Sequence, residues 1–245
     1  MSTNHMILKN MRRVFVFSVP VRAFHWLNAL AILALVATGY IIGNPPAIQT
    51  AHEASFSYWF GIVRFTHFVC SFIFFFNFLF RIYWGFVGNK FENWRNFIPT
   101  TKASWEEICT VVKLDVFMIK GKPHVSIGHN ALAGLTYFIL FLVFLFQCIT
   151  GFGLYAAMSD FWLTQAFAWI VPLMGGDMAV RQWHHILMWF FIVFSIVHVY
   201  LVFYHDYVEG RGELSSMAGG WKFVEKDCID ENECYDDFRL GRLKK

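Results

Sequence analysis

The stretch "RQWHHILMWFFIVFSIVHVY", residues 181–200, is almost wholly apolar yet carries three histidines, His184, His185 and His198. It belongs to a run without Asp, Glu, Lys or Arg that extends over residues 182–205. A helix of about 20 apolar residues is long enough to cross the hydrocarbon core of a bilayer. The stretch therefore predicts a membrane-spanning helix that holds imidazoles inside the membrane, where polar groups are costly unless they have partners.

Three further runs are free of charge, and 57% of the chain is hydrophobic while only 15% is charged. This balance is typical of membrane proteins rather than of soluble domains. We expect an all-α fold, an integral membrane four-helix bundle in residues 1–220, followed by a cytoplasmic tail in residues 221–245. The predicted spans are residues 24–43, 59–83, 131–155 and 182–204.

The lysines and arginines predict the orientation of these spans. Four precede the first span, six lie between the second and third spans, and seven follow the fourth. The other two loops hold only Arg181, at the boundary of a span. Because loops rich in Lys and Arg stay in the cytoplasm, both termini and the middle loop are expected there.

Four histidines match in depth two by two. A helix turns about 100° and rises about 1.5 Å per residue, so His184 and His198 share one face and lie about 21 Å apart. His185 points to a different side and is expected to be a bystander. His25 begins the first span at the cytoplasmic side, and His67 lies near the outer end of the second. Depth therefore pairs His67 with His184, and His25 with His198.

Two pairs of histidines stacked across a membrane suit two b-type haems, because each iron takes one neutral imidazole on each face. The spacing leaves other roles open. Histidines inside spans also serve as structural hydrogen-bonding groups, as zinc ligands or as proton relays.

Other residues near these pairs are secondary candidates. Arg64 and Arg181 fall close to the outer membrane face and are predicted partners of haem propionates, with ordinary interface anchoring as the alternative. Gly39, Gly151 and Gly153 would let a porphyrin or a neighbouring helix approach closely.

The five cysteines are scattered along the chain. Cys70 and Cys148 lie inside predicted spans, while Cys228 and Cys234 in the tail lack C-x-x-C spacing. Iron–sulfur ligation and covalent attachment of c-type haem are therefore not supported.

Five ordered motifs carry a family resemblance that extends over about residues 15–220. They are "PVRAFHWLNALAILALVATGYIIG", "RIYWGFVGN", "IGHNALAG", "ITGFGLY" and "WHHILMWFFIVFSIVHVY". They resemble the cytochrome b subunit of respiratory, membrane-bound nickel–iron uptake hydrogenases. The resemblance implies a four-helix anchor in the bacterial inner membrane that holds two haems b and carries electrons from a periplasmic hydrogenase to quinone.

The same resemblance implies the partners and the site residues. The hydrogen-activating metals belong to the hydrogenase small and large subunits; the other partners are quinone and membrane lipid, and nucleic acid is not among them. Related anchors of formate dehydrogenases bind quinone near an Asn at the start of the third helix, which corresponds to Asn130 in "GHN". The implied haem ligands are His25 in "FHW", His67 in "RFTHF", His184 in "WHH" and His198 in "VHVY".

The sequence leaves two alternatives to a hydrogenase subunit. A formate dehydrogenase or another respiratory enzyme could use a similar cytochrome b anchor. A proton-conducting transporter would use the histidines as relays, but the predicted spans lack Asp and Glu and no mid-span proline breaks a helix.

Overall fold

The structure is a computed structural model, and it describes residues 11–47, 58–113, 117, 119, 130–210 and 212–225. The part of the tail that contains Cys228 and Cys234 lies outside the described residues. In chain order the elements are β1 (Met11–Phe15), α1 (Val19–Gly43), α2 (Trp59–Val87), a 3-10 turn (Trp94–Asn96), α3 (Lys102–Val111), α4 (Ala131–Ala156), α5 (Trp162–Gln165), α6 (Ile170–Leu173), α7 (Asp177–Glu209), α8 (Glu213–Gly219) and β2 (Trp221–Glu225).

Helices α1, α2, α4 and α7 are long and apolar enough to cross a membrane. They correspond to the four predicted spans, and the predicted class of helical membrane protein is confirmed. The helices extend past the predicted ends. α7, for example, begins at Asp177 and ends at Glu209, because helical hydrogen bonding continues through polar turns beyond the apolar stretch.

A small antiparallel sheet was not predicted. Strands β1 and β2 pair with Phe15 opposite Trp221 and Met11 opposite Glu225. Val14 of β1 is fully buried while Arg13 is exposed and lies over the Trp221 ring. Each strand has only five residues, and the two are far apart in the chain, so local periodicity contains little information about their pairing.

The chain forms two compact units. The first contains residues 1–25, 81–139 and 199–245, and the second contains residues 26–80 and 140–198. In the first unit the sheet and the start of α1 share a small apolar core with the loop after α2. Its buried members are Val14, Val16, Phe17, Val21 and Phe91, with Trp84 and Met217 packed against them.

A buried carboxylate holds this first unit together. Glu92 is only 1% exposed. Its Oε1 accepts a hydrogen bond from the backbone N–H of Ser18 at 2.5 Å. Its Oε2 accepts from Trp84 Nε1 at 2.9 Å and from the backbone N–H of Asn89 at 3.1 Å. Since Ser18 immediately precedes α1, Glu92 ties the beginning of that helix to the loop after α2.

In the second unit, segments of the four long helices form a closed ring. Contacts join α1 to α2, α2 to α4, α4 to α7, and α7 back to α1. Helices α2 and α7 therefore lie opposite each other, as do α1 and α4. Representative contacts are Thr38–His67, Phe74–Phe144, Phe144–Phe191 and Tyr40–Trp189.

Replacing Glu92 tests the importance of its buried contacts. Glu92→Gln removes the charge and replaces one accepting oxygen with an NH2 group. This NH2 group would face N–H groups, which can only donate, so a hydrogen bond is lost. Leaving a buried donor unsatisfied costs about 1–3 kcal/mol, so we expect a lower apparent melting temperature of the purified protein in detergent. Glu106→Gln is the matched control, because that side chain is 70% exposed and pairs with Lys102 at the surface. Equal melting temperatures for the two variants would contradict a stabilising role of Glu92.

Candidate functional site

The structure brings His67 and His184 together within the second unit. They come from α2 and α7, opposite helices of the ring. Both rings are half-buried. Gly39 of α1 lies beside both helices, since a Cβ added there would be 3.3 Å from Cε1 of His67 and 3.8 Å from Sδ of Met188, one turn after His184 on α7.

A threonine and a glycine of α1 hold His67. The hydroxyl oxygen of Thr38 lies 2.9 Å from Nδ1 of His67. The ring also packs against the backbone of α1, since a Cβ added at Gly39 would lie 3.3 Å from Cε1 of His67. A side chain at residue 39 would therefore push the imidazole away.

The same arrangement recurs at His184, with α4 in place of α1. The hydroxyl oxygen of Thr150 lies 2.9 Å from Nδ1 of His184. A Cβ added at Gly151 would lie 3.1 Å from Cε1 of His184. The amide nitrogen of Gln147, one turn earlier on α4, lies 3.2 Å from Nε2 of His184.

His185 has a different environment from its neighbour. A Cβ added at Gly43 would lie 2.9 Å from Cε1 of His185, so this ring packs against the end of α1. It also meets Trp189 edge-on, with the ring centroids 6.4 Å apart. The two adjacent imidazoles of α7 therefore face different partners.

The other two predicted ligands are placed one by one. His198 lies on the same unbroken helix as His184, fourteen residues further on, and stacks on Phe194 at 5.5 Å between ring centroids. His25 lies near the beginning of α1. His25 belongs to the first unit and His198 to the second. Their pairing rests on depth along the two helices and stays a prediction.

Three further predicted site residues, Arg64, Arg181 and Asn130, each have a contact within the protein. Nη2 of Arg64 lies 2.9 Å from Sδ of Met158. Nε of Arg181 lies 2.6 Å from Oδ2 of Asp177, so this guanidinium is already paired with a carboxylate one turn away. The Oδ1 atom of Asn130 accepts a hydrogen bond from the N–H of Ala133 at 2.7 Å and so caps α4.

These residues fit a haem that the imidazoles of His67 and His184 would hold. Two histidines approach from opposite helices, and the Nδ1 atom of each ring is engaged by a threonine. Nε2 is then the nitrogen for a metal, which at His184 would take the place of the Gln147 amide. A tetrahedral zinc site takes four protein ligands, or three and a water molecule. Within the described ranges of the chain, no group of three His, Cys, Asp or Glu residues is arranged to hold a metal ion.

Sequence analysis missed the contributions of Thr38, Thr150 and Gln147. A signal for the two threonines was present, because the dipeptide Thr-Gly occurs in both the first and the third span, at 38–39 and at 150–151. Gly39 and Gly151 were singled out, but the hydroxyl beside each glycine was not.

Comparisons with known proteins identify the family of this chain. Residues 16–220 match the family described as prokaryotic cytochrome b561. The chain is 38% identical to the "Probable Ni/Fe-hydrogenase B-type cytochrome subunit" of Cupriavidus necator, over 87% of this chain and 88% of the relative. The protein of the same name from Azotobacter vinelandii is 39% identical, over 89% and 91% of the two chains.

A third relative, from Escherichia coli K12, is named "Probable Ni/Fe-hydrogenase 1 B-type cytochrome subunit". It is 34% identical over 85% of this chain and 90% of its own length. The matches span most of both chains in every case. With four membrane-length helices and an opposed pair of histidines, the chain belongs to the prokaryotic cytochrome b561 family, among the B-type cytochrome subunits of Ni/Fe-hydrogenases.

Proposed function

We propose that this chain anchors a periplasmic nickel–iron hydrogenase in the bacterial inner membrane and carries its electrons through two haems b to quinone. The observation that carries the proposal is the opposed pair His67 and His184, each ring held at Nδ1 by a threonine and backed by a glycine. The printed names of the relatives support the hydrogenase partner.

The proposal assigns His67 and His184 to an outer haem, and His25 and His198 to an inner one. Haem iron supplies reversible one-electron chemistry when bound, while the protein supplies the axial ligands and the apolar surroundings. Fourteen residues of α7 separate its two histidines, a rise of about 21 Å.

The face of α7 between these histidines is apolar. Met188 and Phe191 lie between His184 and His198, and they are 6% and 5% exposed. Phe191 stacks on Phe144 of α4, with ring centroids 5.3 Å apart. These side chains exclude water from the region between the two histidines of α7, which keeps the local dielectric constant low.

The remaining roles follow from charge and chain order. The distribution of Lys and Arg supports cytoplasmic termini, so α7 runs from the outer face inward. Arg64 and Arg181 are proposed partners of the outer haem's propionates, and Arg181 would then exchange or share its bond to Asp177. Hydrogen activation is assigned to the hydrogenase small and large subunits. Quinone is assigned to the cytoplasmic side, near Asn130 and the inner pair.

Haem content tests the proposal directly. We expect about two haems b per chain in the purified protein, because four histidines form two pairs matched in depth. A pyridine haemochrome assay, divided by the protein concentration, measures this ratio. A protein that contains no haem b would contradict the proposed function.

Alanine variants of the two adjacent histidines should behave differently. His184→Ala should remove the outer haem, because this ring bonds Thr150 and shares a face with His198. His185→Ala should retain both haems, because His185 packs against Gly43 instead. Haem content and a redox titration of each variant provide the comparison. If the two variants lose the same amount of haem, the assignment of His184 rather than His185 as the ligand is wrong.

Two variants of Asn130 separate quinone contact from helix capping. Asn130→Leu removes both the capping oxygen and the amide, whereas Asn130→Ser keeps an oxygen that can accept from Ala133. If the amide contacts quinone, both variants in the intact complex should reduce quinone more slowly and still reduce a hydrophilic dye at the outer enzyme. Normal quinone reduction by Asn130→Ser would limit this residue to its capping role.

A further inference from the structure

The hydroxyls of Thr38 and Thr150 make equivalent contacts at His67 and His184. Each oxygen lies 2.9 Å from the Nδ1 atom of its histidine. Each also lies near the carbonyl oxygen four residues back on its own helix, at 2.6 Å for Thr38 and 2.9 Å for Thr150. A hydroxyl has one hydrogen and a carbonyl can only accept it. The hydroxyl oxygen is then left to accept a hydrogen bond from the imidazole.

The side chain of Gln147 determines which nitrogen of His184 carries the hydrogen. The amide nitrogen of Gln147 lies 3.2 Å from the backbone oxygen of His184 and 3.2 Å from its Nε2. Because the backbone oxygen only accepts, the amide must present its NH2 group to His184. Nε2 therefore accepts, and the hydrogen of the neutral ring is on Nδ1, where it is donated to Thr150.

The surroundings of His67 lead to the same tautomer. The hydroxyl of Thr38 lies within reach of two backbone oxygens of α1, that of Ala34 at 2.6 Å and that of Leu35 at 3.3 Å. Its one hydrogen is therefore used within α1, and its oxygen can only accept from Nδ1 of His67. The ring donates from Nδ1, which leaves the lone pair on Nε2.

We propose that Thr38 and Thr150 are positioning residues that hold these two imidazoles in the tautomer that ligates iron and adjust the electron density that Nε2 donates. The proposal rests on the proposed function, because it takes Nε2 of His67 and of His184 as the ligand atoms. At His184 the iron would replace the amide of Gln147 as the partner of that lone pair. A hydrogen bond accepted from Nδ1–H makes an imidazole more basic and a stronger donor to a metal. Stronger donation favours ferric over ferrous iron, so the two hydroxyls lower the midpoint potential at this site.

Valine and serine variants test these roles by redox titration of the purified cytochrome. Thr38→Val and Thr150→Val keep the shape of the side chain but cannot accept a hydrogen bond. We expect each to raise the midpoint potential of the outer haem, the double variant to raise it further, and the inner haem to stay unchanged. Thr38→Ser and Thr150→Ser should restore the wild-type potential.

Thr136→Val is the matched control. Thr136 lies on α4, is exposed, and donates its hydroxyl to the carbonyl oxygen of Leu132 at 2.9 Å. Its replacement should not change either midpoint potential.

The outcomes separate these roles from the proposed function. If the valine variants keep a normal haem content and have the same midpoint potentials as Thr136→Val, the proposed roles of Thr38 and Thr150 are wrong. The proposed function would not be affected by that result. A valine variant could also lose the outer haem. In that case, a serine variant at the same residue that keeps the haem supports the role of the threonine, and loss of the haem from both variants contradicts it. A wild-type protein without haem b would contradict the proposed function itself.

Discussion

An imidazole inside a membrane-spanning helix has two ring nitrogens, and in an apolar medium each needs a partner. The second compact unit meets this requirement with neighbouring helices. Thr38 and Thr150 engage Nδ1 of His67 and His184, and each hydroxyl also bonds its own helix. The adjacent glycines allow the rings to come close enough for these bonds to form. In the ring, each of these histidines therefore has its hydroxyl partner on an adjacent helix, α1 for His67 and α4 for His184.

The sequence was sufficient for the features that depend on composition along one helix. Charge-free runs predicted all four long helices, and a helix of fixed rise placed His67 and His184 at one depth. Contacts between distant segments were not predictable in this way. The pairing of β1 with β2 joins opposite ends of the chain, and the buried carboxylate of Glu92 lies in a loop whose sequence contains other polar residues. The contacts of the threonines depend on which helices are neighbours, which periodicity does not reveal.

Two of the polar residues predicted to contact a ligand already have partners in the structure. Arg181 pairs with Asp177, and Asn130 caps α4. Any ligand that used them would have to compete with or share these contacts, so they are less specific indicators of a site than the histidines. By contrast, the network around Glu92 positions the start of α1, seven residues before His25. Glu92 and His25 belong to the same compact unit, so this network supports the part of α1 that carries His25.

Because α7 is one uninterrupted helix that carries both His184 and His198, it fixes the distance between the groups that these two histidines bind. The distance between the two side chains is determined by backbone hydrogen bonds within one helix rather than by packing between subunits or by lipid. A thinner or thicker bilayer can tilt this helix but can hardly stretch it. Since electron tunnelling rates fall steeply with distance, a transfer between these two positions would be protected from changes in membrane composition.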